Sequence, residues 1–252
     1  MRYLLILLLL CCSVYGGTID PSIPDQKYLD FGSKFYCVAK LCGTYQDNTK
    51  FCASAVIIEN NFVLTAAHVV QNYKDCYVIL NNKKYKLDNI IIHKDFDGNF
   101  RDPDIAIGFY KKGFNLEHYP PIYTEDDEQG ALASIAGWGM TGNFHRGVYI
   151  SDNKLRAGSN IIDYIDVNML ICSPSRPNDK NHTVLEYMIC SGDSGGGLFI
   201  DGKLAGINSC VMAIDKVPMS KYEEESGHTR VSKFIGWINE SKKKMDPSFT
   251  DK

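Results

Sequence analysis

The stretch CASAVIIENNFVLTAAH, residues 52–68, carries two apolar runs, CASAVII and FVL, parted by a polar cluster that includes Asn60 and Asn61. Runs this short, rich in β-branched residues and bounded by turn formers, read as strands. The same rhythm extends outward on both sides. FYCVAKL precedes it, and CYVIL, NIIIH, DIAIGFY, SIAGW, GGLFI and LAGINSCV follow, separated by Asn, Asp, Gly and Lys clusters. An antiparallel all-β fold is expected, with hairpin loops at 45–49 and 81–82. A helix is expected only at the end, over about 231–244. There Val231, Phe234, Ile235 and Ile238 share one face, Trp237 flanks it, and Lys242, Lys243 and Lys244 sit where a helix C-terminus favours positive charge. Residues 246–252 read as a frayed tail.

At 252 residues the chain can bury a large core and fold as a monomer. Its 27 Lys and Arg against 30 Asp and Glu give a formal charge of -3, no footprint for nucleic acid or an anionic membrane surface. Met1 and Arg2, the apolar run from Tyr3 to Leu10 and the small residues before Gly17 read as a secretory leader, residues 1–16, and predict a secreted or otherwise extracytoplasmic protein. The run is shorter than the roughly 18 apolar residues of a spanning helix, which argues against stable membrane insertion. Leu10 is larger than the residue that normally precedes a lipid-modified cysteine such as Cys11. Beyond the leader stand Cys37, Cys42, Cys52, Cys76, Cys172, Cys190 and Cys210, an odd set without zinc-site spacing. Disulfides with at least one unpaired thiol are expected, and neither metal nor cofactor is implied. The polar, proline-bearing stretch 111–130 marks a seam between an N-terminal set of strands, about 30–115, and a C-terminal set, about 130–230.

Three local signals carry chemistry. Gly192, Asp193, Ser194, Gly195, Gly196 and Gly197 form a turn able to expose a serine oxygen and to aim the amides of Gly192 and Ser194 at a developing oxyanion. His68 follows Ala66 and Ala67 at the end of an apolar strand, a setting that lets a base sit close against neighbouring backbone. Asp104 leads the run IAI and can be buried at the strand's start to orient an imidazole. Asp102 competes for that role, but Pro103 and not the apolar run follows it.

In the order His68, Asp104, Ser194 these residues resemble the chymotrypsin and trypsin family of serine proteases. Residues 52–68 resemble its approach to the histidine, IAGWG its mid-chain strand, GKLAGINS the strand whose serine supports the aspartate, and HTRVSKFIGWI its final helix. The resemblance spans about 35–239 and implies two six-stranded antiparallel β-barrels with a C-terminal α-helix. It implies a serine endopeptidase acting on protein or peptide substrates, with Ser209, Cys210 and Val211 as a substrate-binding edge. The alternative is a catalytically inactive protease-like binding module. A lipase fold is excluded by chain order and by the missing βα alternation.

The chain also departs from the family. Val69 stands where a cysteine usually follows the histidine, so the expected pairings are Cys42 with Cys52, Cys37 with Cys76, and Cys172 with Cys190, leaving Cys210 free; Cys190 with Cys210 is the rival. Gly17, Thr18, Ile19 and Asp20 do not match the family's activation sequence, so activity without propeptide cleavage is expected and Asp193 needs its own partner. No acid occurs in Met188, Ile189, Cys190 and Ser191, where members that cut after basic residues place one. His228 resembles the rear of the specificity pocket and would favour an acidic or polar side chain.

Overall fold

A computed structural model describes residues 17–98 and 102–249; the expected leader and the last three residues lie outside the described residues. Alternation produces what it predicts. In the N-terminal half one antiparallel sheet runs Lys83–Lys86, Tyr73–Leu80, Val38–Tyr45, Lys50–Glu59, Phe62–Thr65, Ala106–Phe109, Asn89–Ile92. In the C-terminal half a second runs Arg156–Ile161, Leu132–Gly137, Gly197–Ile200, Lys203–Met212, Glu225–Arg230, Met169–Cys172, Tyr164–Asp166. The two curled sheets form the two-barrel architecture. Each holds seven strands where six were expected, because the short hairpin arms Lys83–Lys86 and Tyr164–Asp166 add an edge. Asn81 and Asn82 close the first of these hairpins at φ of 49° and 60°, a left-handed pair that suits the strand twist.

A third, four-stranded sheet was not foreseen. Thr18–Ile19 lies between Thr141–Asn143, to which it is parallel, and Tyr187–Met188, to which it is antiparallel. The chain start is thereby built into the C-terminal half, and Thr18 donates its hydroxyl to Ser220 O at 2.7 Å.

Two further helices join the final one. Asp25–Gly32 begins after Pro24, a good first-turn neighbour, and packs against Arg156–Ile161 through buried Tyr28 and Gly32. The Arg156 guanidinium is buried between Asp25 (2.6 and 2.7 Å) and Asp152 (2.7 and 2.9 Å), so the helix is held by a fully paired fork. Ala67–Val70 is a single turn that carries His68. The C-terminal helix is Ile235–Met245, entered through a tight turn Val231–Phe234. Its apolar stripe packs on the N-terminal core. The expected frayed tail is corrected for 246–249, since Phe249 packs edge-on against Phe62 with ring centroids 5.8 Å apart.

Of the expected disulfides, Cys42–Cys52 forms, between directly opposed residues of one hairpin. The other pairings are corrected, and Cys37, Cys76, Cys172, Cys190 and Cys210 are buried thiols outside any disulfide. Cys76 opposes Gly43, six residues along the strand from Cys37, a separation of roughly 20 Å at strand rise. Cys172 packs in the C-terminal core, Cys190 turns its sulfur to Met140 O, and Cys210 sits with Met169 and Met212. After unfolding without reductant, these five thiols should take an alkylating label while Cys42 and Cys52 do not; peptide mapping that finds any of the five protected would contradict the assignment.

Candidate active site

The strand Phe62–Thr65 ends at Ala66 and Ala67, both fully buried, and the turn that follows aims His68 across the boundary between the halves. Asp104 meets it from just ahead of Ala106–Phe109, the neighbouring strand of the same sheet. One carboxylate oxygen accepts the His68 amide at 2.9 Å and the other faces Nδ1 at 2.7 Å. Asp104 is 2% exposed, and burial alone would raise its carboxyl; the hydrogen bond and charge of His68 and the Ser209 hydroxyl outweigh burial and hold it below the ordinary carboxylate range. An ionised Asp104 requires a proton on Nδ1, which leaves Nε2 as acceptor for Ser194 Oγ, 3.0 Å away. Asp102, the competitor, does not make this contact: its carbonyl accepts the Asp104 amide.

Ser194 rides a turn with Gly192 at φ 91° and Gly195 at φ 83°, backbone that other residues adopt only with strain. The turn is clamped from both halves. Ser54, on the strand Lys50–Glu59, donates its amide to Ser194 O and its hydroxyl to Gly192 O, both at 2.9 Å. The Gly195 amide donates to Asn208 O at 2.8 Å. A Cβ on Gly195 would lie 2.1 Å from Thr65 Oγ1, so only glycine lets the turn approach the histidine-bearing strand this closely.

Behind the serine, Asp193 is fully buried. Burial is the main influence on its carboxyl and pushes it up to about 7, against the amides of Cys190 (3.0 Å) and Gly139 (2.9 Å) and the Tyr187 hydroxyl (3.4 Å), which favour the ionised form. Tyr187 in turn accepts the Gly17 amide at 3.1 Å, linking the chain start to this carboxylate. Sequence reading found Asp193 but not these partners, which come from the chain start, from Gly139 and from residues 187–190.

A pocket of about 420 Å³ opens beside Ser194. Ser209, Cys210 and Val211 form one wall; Ile189, Cys190 and Ser191 another; Met140, Val148, Pro218, Met219 and Ser220 complete it. No charged side chain among the described residues lines it. The Ser220 hydroxyl is spent on Ile189 O at 2.9 Å. Between Lys203–Met212 and Glu225–Arg230 the pairing steps from Asn208 opposite His228 to Cys210 opposite Gly227, so Ser209 is a bulged residue. The bulge sends Ser209 Oγ to Asp104 at 2.6 Å and leaves its carbonyl 3.4 Å from Ser194 Oγ.

The expectation that His228 reaches the pocket is corrected. It is fully buried, with Nδ1 2.9 Å from Asn208 Oδ1 and Nε2 3.1 Å from Ser226 Oγ.

Comparison with known proteins agrees with this geometry. The family model described as Trypsin matches residues 35–238. A chymotrypsin of Phaedon cochleariae is 26% identical over 208 residues, covering 75% of this chain and 72% of that protein. A kallikrein 1-related peptidase b8 of Mus musculus is 26% identical over 284 residues, covering 96% and 98%. Among solved structures, neuropsin of mouse brain superimposes with a TM-score of 0.64 at 22% identity over 84% of this chain and 95% of that one, and an HL collagenase with 0.65 at 19% over 82% and 93%.

Burial lowers His228 from 6.5 to about 3, so the folded state keeps it neutral where the unfolded chain protonates. The stability this gives is present above 6.5 and lost as pH falls toward 3. In His228→Gln the melting temperature should fall less steeply than in the parent over that window, with substrate preference unchanged; parallel melting curves would contradict the buried, neutral assignment.

Proposed function

The chain belongs to the trypsin family of serine proteases, and from that membership we propose that it is a secreted, monomeric endopeptidase that hydrolyses peptide bonds through an acyl-enzyme. In this reading the leader, residues 1–16, is removed on export and residues 17–245 form the protease domain, with barrels over about 30–115 and 130–230. No helix among the described residues is long and apolar enough to cross a membrane.

The observation that carries the reading is the single file of contacts Asp104, His68, Ser194, at 2.7 and 3.0 Å. Ser194 Oγ attacks the substrate carbonyl as His68 Nε2 takes its proton, and the same nitrogen returns that proton to the leaving amine. Asp104 holds the Nδ1 tautomer and stabilises the imidazolium. The amides of Gly192 and Ser194 receive the oxyanion, each donor contributing about 3 kcal/mol or more to the barrier reduction. Water then attacks the ester by the reverse sequence.

Activity without further processing is supported by the chain start. Thr18–Ile19 is already seated between two strands, and Gly17 reaches Asp193 through Tyr187. After leader removal the Gly17 nitrogen is an ammonium, which favours ionised Asp193.

The side chain preceding the cleaved bond is proposed to be apolar. The pocket supplies Met140, Ile189, Val211 and Met219 and no counter-charge. Burying a Leu, Met or Phe side chain there is worth roughly 1.5–3 kcal/mol, while an unpaired charge is penalised. Sulfur from Met140, Cys190, Cys210 and Met219 adds favourable contact with an aromatic ring.

A peptide-library profile of the protein starting at Gly17 tests both parts. Cleavage should follow Leu, Met or Phe in preference to Arg or Glu, and Ser194→Ala should reduce turnover by a factor on the order of a million with the fold intact. Preference for Arg would refute the pocket assignment; turnover surviving in Ser194→Ala would refute the mechanism, and absence of turnover in the parent would leave a binding module.

A further inference from the structure

A second cleft touches His68. It measures about 370 Å³, is lined by Tyr45, Gln46, Asp47, Gln71 and Asn72 together with His68, and shares no residue with the apolar pocket at Ser194. In the endopeptidase reading a cleft lined by His68 receives the leaving-group half of the substrate, and we propose that Asp47 in its wall selects there a residue whose side chain donates hydrogen bonds, basic or carboxamide. The assignment rests on the endopeptidase reading.

Position gives the first part. The apolar pocket meets Ser194 and the strand edge 209–211, the side on which the acyl half stays bound. His68 Nε2 lies between serine and leaving nitrogen, so the chain beyond the cleaved bond must pass the histidine, and His68 lines this cleft and not the apolar pocket.

Rigidity gives the second. Its outer wall is the loop of the hairpin Val38–Tyr45 and Lys50–Glu59, closed on itself by Cys42–Cys52. Tyr45 stacks on Phe51 with centroids 4.5 Å apart at 23°. Gln46 ties the loop to the opposite wall, its amide donating to Asn72 O and its side chain to Tyr73 O, both at 3.0 Å. Walls fixed before binding cost little ordering when a ligand arrives.

Chemistry gives the third. Apart from the histidine, Asp47 is the one ionisable carboxylate lining the cleft, and the others there are carboxamides and a tyrosine. The Thr49 hydroxyl and amide bond Asp47 Oδ1 at 2.6 and 2.9 Å and hold its carboxyl below the ordinary range. The nearby cation, Lys74, is directed at Asn48 Oδ1 on the hairpin at 2.8 Å. A guanidinium, ammonium or carboxamide entering the cleft finds acceptors; a carboxylate finds like charge, and an alkyl chain finds polar walls.

Fluorogenic peptides with a common acyl half and Arg, Gln, Leu or Glu in the first two positions after the cleaved bond test this, beside an activated ester of the same acyl half with no residue after it. Arg should exceed Glu in kcat/KM by about fivefold or more, the size expected of an exposed charge pair gained against one repelled, with Gln above Leu. Asp47→Asn should shrink the Arg-to-Glu ratio, read within one preparation so that loss of active protein cancels. Equal rates across the four peptides, or an unchanged ratio in Asp47→Asn, with the ester still cleaved, overturn the subsite alone. Failure to cleave ester and peptides alike overturns the endopeptidase reading and the subsite with it.

Discussion

The site depends on one buried carboxylate at the junction of the two halves. Asp104 belongs to the N-terminal half, and its oxygens are met by His68 from the same half and Ser209 from the other, while Thr229 donates its hydroxyl to the Asp104 carbonyl at 3.0 Å. An uncompensated carboxylate there would cost several kcal/mol, so the arrangement is stable only when both halves deliver their donors. The requirement that makes Asp104 tolerable also sets how far apart the barrels sit, and with it the reach from His68 to Ser194.

Ser54 extends the same constraint. By bonding Ser194 O and Gly192 O it fixes the turn of the C-terminal half to a strand of the N-terminal half. Its hydroxyl also accepts the Trp138 amide at 2.9 Å, so one side chain spans the turn and IAGWG. Gly137 in that segment is needed for space, because a Cβ there would lie 2.2 Å from Asp193 Oδ1. The Ser194 turn is thus held on one side by the partner barrel and on the other by the buried Asp193 and its donors. Fixed donors that need not reorganise are what electrostatic stabilisation of an oxyanion calls for.

Much of this was legible because it is local. Alternating runs specify strands, Asn81 and Asn82 specify a turn, and small residues before His68 and glycines around Ser194 specify close backbone approach. What escaped reading depends on register and on distant segments. Helix Asp25–Gly32 buries only Tyr28 and Gly32, too weak a stripe to stand out, and is secured by Arg156, 131 positions on. Thr18–Ile19 is two residues long, below any periodicity. His228 was misread because its partners, Asn208 and Ser226, become apparent only once strand register is known, and nothing in the flanking sequence marks them. The apolar pocket draws Met140, Val148 and Met219 from separate loops, so its character emerges only once the loops meet.

The central claim is that this geometry activates Ser194 in a chain carrying no processing beyond leader removal. Reaction of the Gly17-start protein with a fluorophosphonate probe, followed by peptide mapping, tests it most directly. The account predicts one label per molecule, on the peptide containing Ser194 and abolished in His68→Ala; absence of label, or label on another residue, would contradict it.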